Sequence, residues 1–110
     1  MRTNYTMADQ NITMVSGDTL SFNVICKDQS GEPVTVDDAT FKAKKNMADD
    51  TPVIDVSLGD GITQDEGVLT VRLSPSDTSY VGFLYYDMDI TVGSDRFTLL
   101  RGMLQLEADV

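Results

Sequence analysis

The residues of this chain that could do chemistry are mostly carboxylates. Asp87 and Asp89 stand two positions apart, so on a β-strand both side chains would point from the same face. Such a pair could serve acid-base catalysis or bind a metal, but either use needs further groups that converge in a pocket. We expect a solvated face instead, on which the two acids pair with Arg72 or Arg96 of neighbouring strands.

Acidic loops offer a second possible metal site. Asp49 and Asp50 form one loop, and Asp60 lies near Asp65 and Glu66 in another. Two such loops could hold Ca²⁺ if they met at one end of the fold, although neither has the spacing of a dedicated calcium loop. We expect no bound metal and no cofactor.

Nucleophilic catalysis lacks its usual base in this chain. There is no histidine, which excludes histidine-based triads and histidine-containing zinc sites. A serine or Cys26 could still pair with Lys27 or with the lysines at 42, 44 and 45. Lysines in such a cluster also commonly protect a strand edge, and Cys26 falls on the apolar side of its strand, where a buried structural thiol is expected. The sequence therefore predicts a protein that is not an enzyme.

Composition restricts the partners. The 110 residues suit one domain, and 18 acidic against 8 basic residues give a net charge of −10. That charge repels nucleic acid and anionic membranes, and it suits solubility at high local concentration. No apolar run approaches the roughly 20 residues of a membrane span, and the first ten residues lack the apolar stretch of a signal peptide. We expect a product of the cytoplasm with no nucleic-acid or membrane partner.

Apolar residues recur at every second position in several segments, as they do in half-buried strands. The clearest segment is Leu20–Cys26, which follows the Gly17–Asp18 turn. Similar alternation returns in residues 39–44, 68–73, 84–90 and 96–99. Short strands separated by turns predict an all-β, immunoglobulin-like antiparallel β-sandwich of about seven strands with Greek-key connections. Residues 1–10 are predicted to be a flexible N-terminal arm, and residues 11–110 a single domain.

Two segments between the strands carry local predictions. Gly59–Gly67 is rich in glycine and acids and reads as a loop, with Ile62 tucked inward. Ser74–Thr78 reads as one turn of helix, because Ser74 can cap the first amides and Pro75 fits the first helical position.

The last two strands are predicted to form a hairpin over residues 83–106. Phe97 and Leu99 are odd-numbered, whereas Leu104 and Leu106 are even-numbered. A one-residue bulge near Arg101–Gly102 would return all four to one side of the sheet, and glycine favours such a kink.

Five pieces of the sequence from Ile12 onward carry a resemblance through their order and spacing: Gly17–Asp18, Lys27–Val36 before Ala39, Leu73–Thr78, Gly82–Asp87 and Gly102. In this order they resemble the immunoglobulin-like N-terminal domain of phage baseplate upper proteins and related tail or head-fibre proteins. Where that family has an Asp-Leu-Thr-Gly-Ala step, this chain has Val36–Ala39 without the threonine and glycine. The resemblance implies a virion part or assembly module and supplies no catalytic residue.

The function expected from these features is structural. If Leu84, Tyr86 and Met88 face the core, Phe83 and Tyr85 emerge on the outer face of the sheet, together with Leu100 or Arg101 from the neighbouring strand. Aromatic residues there are typical of interfaces. We therefore expect a phage or prophage virion protein that forms a homo-oligomer and docks to other virion proteins through Phe83, Tyr85, Leu100 and Arg101. The alternative is a bacterial surface module that binds a carbohydrate or protein, with Tyr80 as the one plausible sugar platform.

Overall fold

The computed structural model describes residues 8–109, which form nine β-strands and no helix. The strands are β1 (Ala8–Asp9), β2 (Ile12–Val15), β3 (Leu20–Ile25), β4 (Asp38–Lys44), β5 (Ile54–Leu58), β6 (Gly61–Asp65), β7 (Val68–Leu73), β8 (Gly82–Val92) and β9 (Asp95–Glu107). The all-β prediction is confirmed.

The strands join into one curled sheet in the order β1-β9-β8-β4-β5-β6-β7-β3, with β2 also beside β9. The curl brings the inner side of β3 opposite that of β4, where the Phe22 and Phe41 rings meet edge to face at 6.0 Å. The Tyr86 ring of β8 stacks on Phe41 at 5.1 Å. These aromatics lie in the core, whose buried residues alternate with outward-facing residues along β4, β7 and the first half of β8.

Alternation in the sequence places the core correctly. Ala39, Phe41 and Ala43 of β4 are buried, and so are Leu69, Val71 and Leu73 of β7, as the period of two requires. Cys26 is completely buried, and burial raises the pKa of its thiol. The prediction of a buried thiol is confirmed.

The predicted antiparallel sandwich of about seven strands is not confirmed, because nine strands form one sheet in which β1 and β2 run parallel to β9 and β5 runs parallel to β6. The parallel β5–β6 contact also links β4 and β5 to β6, β7 and β3, so that all nine strands belong to one sheet. The cause is a tight loop in which Gly59 and Gly61 both adopt positive φ. The loop brings the chain back to its original direction, so β6 starts beside the end of β5. A Cβ at Gly61 would lie 2.7 Å from Cβ of Val56, so only glycine fits there.

The same loop hides a strand that the sequence did not reveal. The segment predicted as a loop over Gly59–Gly67 contains β6, which pairs with β7 from Ile62 to Asp65. Ile62 is completely buried, as predicted. Glycines and acids at both ends of a five-residue strand obscured the alternation.

Ser74–Thr78 forms a hydrogen-bonded turn and not a helix. The Asp77 N–H donates to the Ser74 hydroxyl oxygen at 3.4 Å, which is the predicted cap. The Asp77 carboxylate in turn accepts hydrogen bonds from the Ser74 backbone N–H and hydroxyl at 2.8 and 2.9 Å, so the two residues cap each other. The buried Thr78 hydroxyl donates to the Asp18 carbonyl at 2.7 Å. This bond ties the turn to the entry of β3, which favours a compact turn over a helix.

The predicted hairpin is present as β8 and β9, and its bulge lies two residues before the predicted Arg101–Gly102 position. Met88 faces Leu100 and Asp89 faces Thr98, so Leu99 is the extra residue. The bulge restores the inward parity as expected, but it does not need glycine.

Gly102 has a different role, which is to let the N-terminal segment cross β9. A Cβ at Gly102 would lie 2.0 Å from the Gln10 carbonyl oxygen. The Tyr86 hydroxyl, opposite Gly102, donates to that carbonyl at 2.6 Å, and the Gln10 N–H donates to the Arg101 carbonyl at 2.9 Å. Residues 8–10 of the predicted arm are therefore paired with β9, and the rest of that arm lies outside the described residues.

Candidate functional site

The solvent-facing side of β4, β8 and β9, which we call the outer face, gathers most of the residues that sequence analysis singled out. Strand register places Lys42 opposite Asp87 and Asp87 opposite Arg101, so a basic-acidic-basic row crosses the three strands. Both Asp87 and Asp89 project from this face, as the strand pattern predicted. Lysines of β4 lie between two neighbouring strands, so the expectation that they protect an edge is wrong.

Asp89 is buried beneath its partners and not solvated as predicted, with 7% of its surface exposed. Arg96 forms the predicted ion pair with one of its carboxylate oxygens, and the Thr98 hydroxyl donates to the other at 2.8 Å. Because both oxygens have charged or polar partners, this carboxylate is a structural anchor for the end of the hairpin. Arg72, the other predicted partner, lies on β7 opposite Ser21.

Asp87 lies among groups that shift the pKa of its carboxyl in opposite directions. Burial raises the pKa of its carboxyl above the usual range, and repulsion from Asp89 raises it further, while Arg96, Lys44 and Lys42 oppose the rise. Among residues 8–109, no three acidic or cysteine side chains converge as a metal site would require, in the loops or on the sheet.

The outer face carries a groove of about 530 Å³ with an unusual share of the chain's positive charge. Four of the eight basic residues line it, together with three acids. The basic residues are Lys42, Lys44, Arg96 and Arg101. Four basic against three acidic residues give the groove a balance of +1, whereas the whole chain has a net charge of −10, so the groove repels an acidic partner less than the average surface does.

Two aromatic side chains of β8, Phe83 and Tyr85, form an exposed aromatic patch beside this groove. Their exposed fractions are 54% and 43%, as predicted from the strand parity. Met47, which is 73% exposed, also lines the groove with Tyr85. Large exposed aromatics on an otherwise regular sheet are the groups that stabilise a protein contact most.

The structure separates the four predicted interface residues. Phe83, Tyr85 and Arg101 share the outer face, with Arg101 opposite Asp87. Leu100 pairs with the buried Met88 and lies on the opposite side of β9. Its assignment to the outer face is wrong, because the bulge at Leu99 reverses the parity one residue before Leu100.

Tyr80, the candidate sugar platform, is half-buried and packs against the core. The Lys45 ammonium sits 5.3 Å from the centre of its ring. A cation over one ring face occupies the surface on which a sugar would stack.

A second groove, which the sequence analysis missed, runs between the edge of β3 and the N-terminal segment. We call it the seam. It has a volume of about 530 Å³, and its lining comprises Gln10, Ile12, Leu20, Phe22, Asn23, Val24, Ile25, Tyr86 and Leu100. None of these residues is charged, although charged residues make up 24% of the chain. The available signal was the charge-free stretch Thr19–Cys26, which sequence analysis treated only as a strand.

Comparison with known proteins adds no family to this description: no family model matches the chain, and neither does any curated protein. The described residues also contain no helix that could cross a membrane.

Proposed function

We propose that this protein is a non-enzymatic structural component that works by self-association and by docking to other proteins, as a phage or prophage virion protein of the baseplate, tail or fibre does. The observation that carries the proposal is the exposed aromatic patch of Phe83 and Tyr85 beside the basic groove. The patch supplies apolar area, and the groove supplies charge that matches the acidic remainder of another copy.

The size of the apolar contribution can be estimated. Complete burial of a large side chain contributes about 1.5–3 kcal/mol, and roughly half of each ring is still exposed, so covering both contributes about 2 kcal/mol. This corresponds to a factor of about 30 in the dissociation constant. Such a contact is weak alone, but symmetric assemblies repeat it and gain from avidity.

We further infer an immunoglobulin-like arrangement within the curled sheet. In support, the order β3-β7-β6 corresponds to strands B-E-D of immunoglobulin domains, and β9-β8-β4-β5 corresponds to G-F-C-C′. The N-terminal strands depart from the constant type, since they lie beside the last strand and not beside β3. This arrangement leaves the outer face of β4, β8 and β9 free of any covering layer among the described residues.

The test is the molar mass by light scattering over a range of concentrations. We expect the wild type to exceed the monomer mass, and the double variant Phe83→Ser with Tyr85→Ser to associate about 30-fold more weakly with an unchanged far-ultraviolet spectrum. Thr63→Ser is the control, because Thr63 is exposed on β6, which is three places from β8 in the strand order. An unchanged association constant in the folded double variant would contradict the proposal.

A surface module that binds carbohydrate is the other candidate from the sequence. No feature of the described residues favours it, because the Tyr80 ring that would serve as its platform is half-buried and capped by Lys45.

A further inference from the structure

The geometry points to a second contact surface: we propose that the open edge of β3 pairs antiparallel with β3 of a second copy, in a two-fold symmetric dimer. This contact is separate from the outer face, and neither requires the other. It arises from the edge of the sheet, the charge distribution along the chain and the self-complementary pattern of the strand.

Within residues 8–109, one edge of β3 is a row of backbone groups without a strand partner. On one side β3 pairs with β7, and no described strand pairs with its other side. The Cys26 N–H donates to the Gly67 carbonyl at 2.6 Å, which fixes the direction of the even-numbered backbone groups toward β7. In an antiparallel ladder the directions alternate, so the N–H and C=O groups of Ser21, Asn23 and Ile25 point away from β7 toward the open edge.

Natural edge strands usually carry a device that discourages pairing, such as a lysine, a proline or a bulge. β3 has none of these, since its sequence is Leu-Ser-Phe-Asn-Val-Ile and its ladder with β7 is uninterrupted. Its inward side chains Leu20, Phe22 and Val24 are only half-buried, and Ile25 is 65% exposed. An added strand would satisfy the backbone groups and cover these side chains.

Charge selects the occupant. Two copies with a net charge of −10 repel each other, so a contact between them forms most readily where neither contributes charge. The stretch Thr19–Cys26 has no charged residue, and the seam beside it is lined by uncharged residues. An acidic or basic peptide would gain no ion pair there, whereas the same uncharged strand of another copy meets no repulsion.

The strand is also complementary to itself. A two-fold axis through Phe22 places each inward residue opposite an inward residue and each outward residue opposite an outward one. The resulting pairs are Phe22 with Phe22, Leu20 with Val24, Ser21 with Asn23, and Thr19 with Ile25. In this register Ser21 and Asn23 face each other as a hydrogen-bonded pair, and they are residues whose backbone groups point to the open edge. The two Phe22 residues face each other as a non-hydrogen-bonded pair, in which side chains are closest.

Amide hydrogen exchange tests this pairing residue by residue. The experiment uses the full chain with Phe83→Ser and Tyr85→Ser, which removes the outer-face contact, at micromolar and millimolar concentrations. We expect the Ser21, Asn23 and Ile25 amides to be slowed at high concentration, by about tenfold when nine tenths of the chains are paired. The Phe22 and Val24 amides, which face β7, should be protected at both concentrations.

Ser21→Lys added to the same background provides the matched perturbation. Ser21 is exposed, and a lysine there places two like charges at the symmetric edge. Thr63→Lys is the control, because Thr63 is exposed on β6 of the same layer. Ser21→Lys should abolish the protection that depends on concentration, and Thr63→Lys should leave it intact.

Two results would overturn the pairing: fast exchange of the three edge amides at every concentration, or equal loss of protection in both lysine variants. Either would leave the outer-face proposal standing if the wild type still associates through Phe83 and Tyr85. Conversely, edge protection with no effect of the two aromatic substitutions on wild-type mass would retain the β3 pairing and reject the outer face.

Discussion

The crossing of the N-terminal segment over β9 at Gly102 makes a quantitative prediction for Gly102→Ala. The new Cβ would lie 2.0 Å from the Gln10 carbonyl oxygen, so the crossing segment must move outward by about 1.4 Å to reach an ordinary contact distance of 3.4 Å. Three hydrogen bonds depend on its present position: Tyr86 to Gln10, Gln10 to Arg101, and Met103 to Asn11.

At about 1 kcal/mol for each hydrogen bond, the substitution should cost about 3 kcal/mol of unfolding free energy. For 110 residues this corresponds to a fall in Tm of about 10–15 °C. The assay is urea unfolding of Gly102→Ala, Tyr86→Phe and the double variant. Because Tyr86→Phe already removes one of the bonds, the two effects should be less than additive. A cost below about 1 kcal/mol, or strict additivity, would refute the claim that Gly102 exists to admit the crossing.

Two further predictions concern single titratable groups. The pKa of Asp87 is raised in the folded state, so ionisation of its carboxyl destabilises the fold once the pH exceeds the pKa of the unfolded chain. Asp87→Asn should therefore be more stable than wild type at pH 7. The difference should vanish below about pH 3.8, where the carboxyl is protonated in both states. Urea unfolding at both pH values checks this, and a variant less stable at pH 7 would contradict the assigned sign. Cys26 is completely buried with a raised pKa, so a thiol reagent should modify the native protein only at the rate of its opening and the urea-unfolded protein at once. Rapid stoichiometric labelling of native protein would show that β3 is open at its end.

The parts of the fold that alternation predicted are those in which one strand face is buried. β4, β7 and the first half of β8 show this pattern plainly, and their inward residues are core residues, whereas the inward residues of β3 are half-buried and pack against the core. Glycine and aspartate in the turns also predicted where strands end. These signals depend only on neighbours along the chain, which is why the sequence carries them.

Features set by distant contacts could not be predicted in the same way. The bulge was expected at Gly102 because glycine favours kinks, but Leu99 takes that role and Gly102 is needed for a chain segment about 90 residues earlier. The misplaced bulge in turn misassigned Leu100. β6 was missed because its pairing with β5 depends on two glycines with positive φ, which a turn-rich sequence does not distinguish from a loop.

The candidate surfaces also differ in whether they depend on local sequence or on distant contacts. Phe83 and Tyr85 were predicted from the parity of one strand, whereas the basic groove exists only because register places residues of β4, β8 and β9 side by side. The seam needs the curl of the whole sheet, which no local pattern contains.

The most direct test of the account is the molar mass of the wild-type chain from micromolar to millimolar concentration. Self-association predicts a mass that rises from 12.1 kDa toward a multiple of it, and a weaker rise when both exposed aromatics of β8 are replaced by serine. A mass that stays at 12.1 kDa up to millimolar concentration would contradict both proposed contacts between copies.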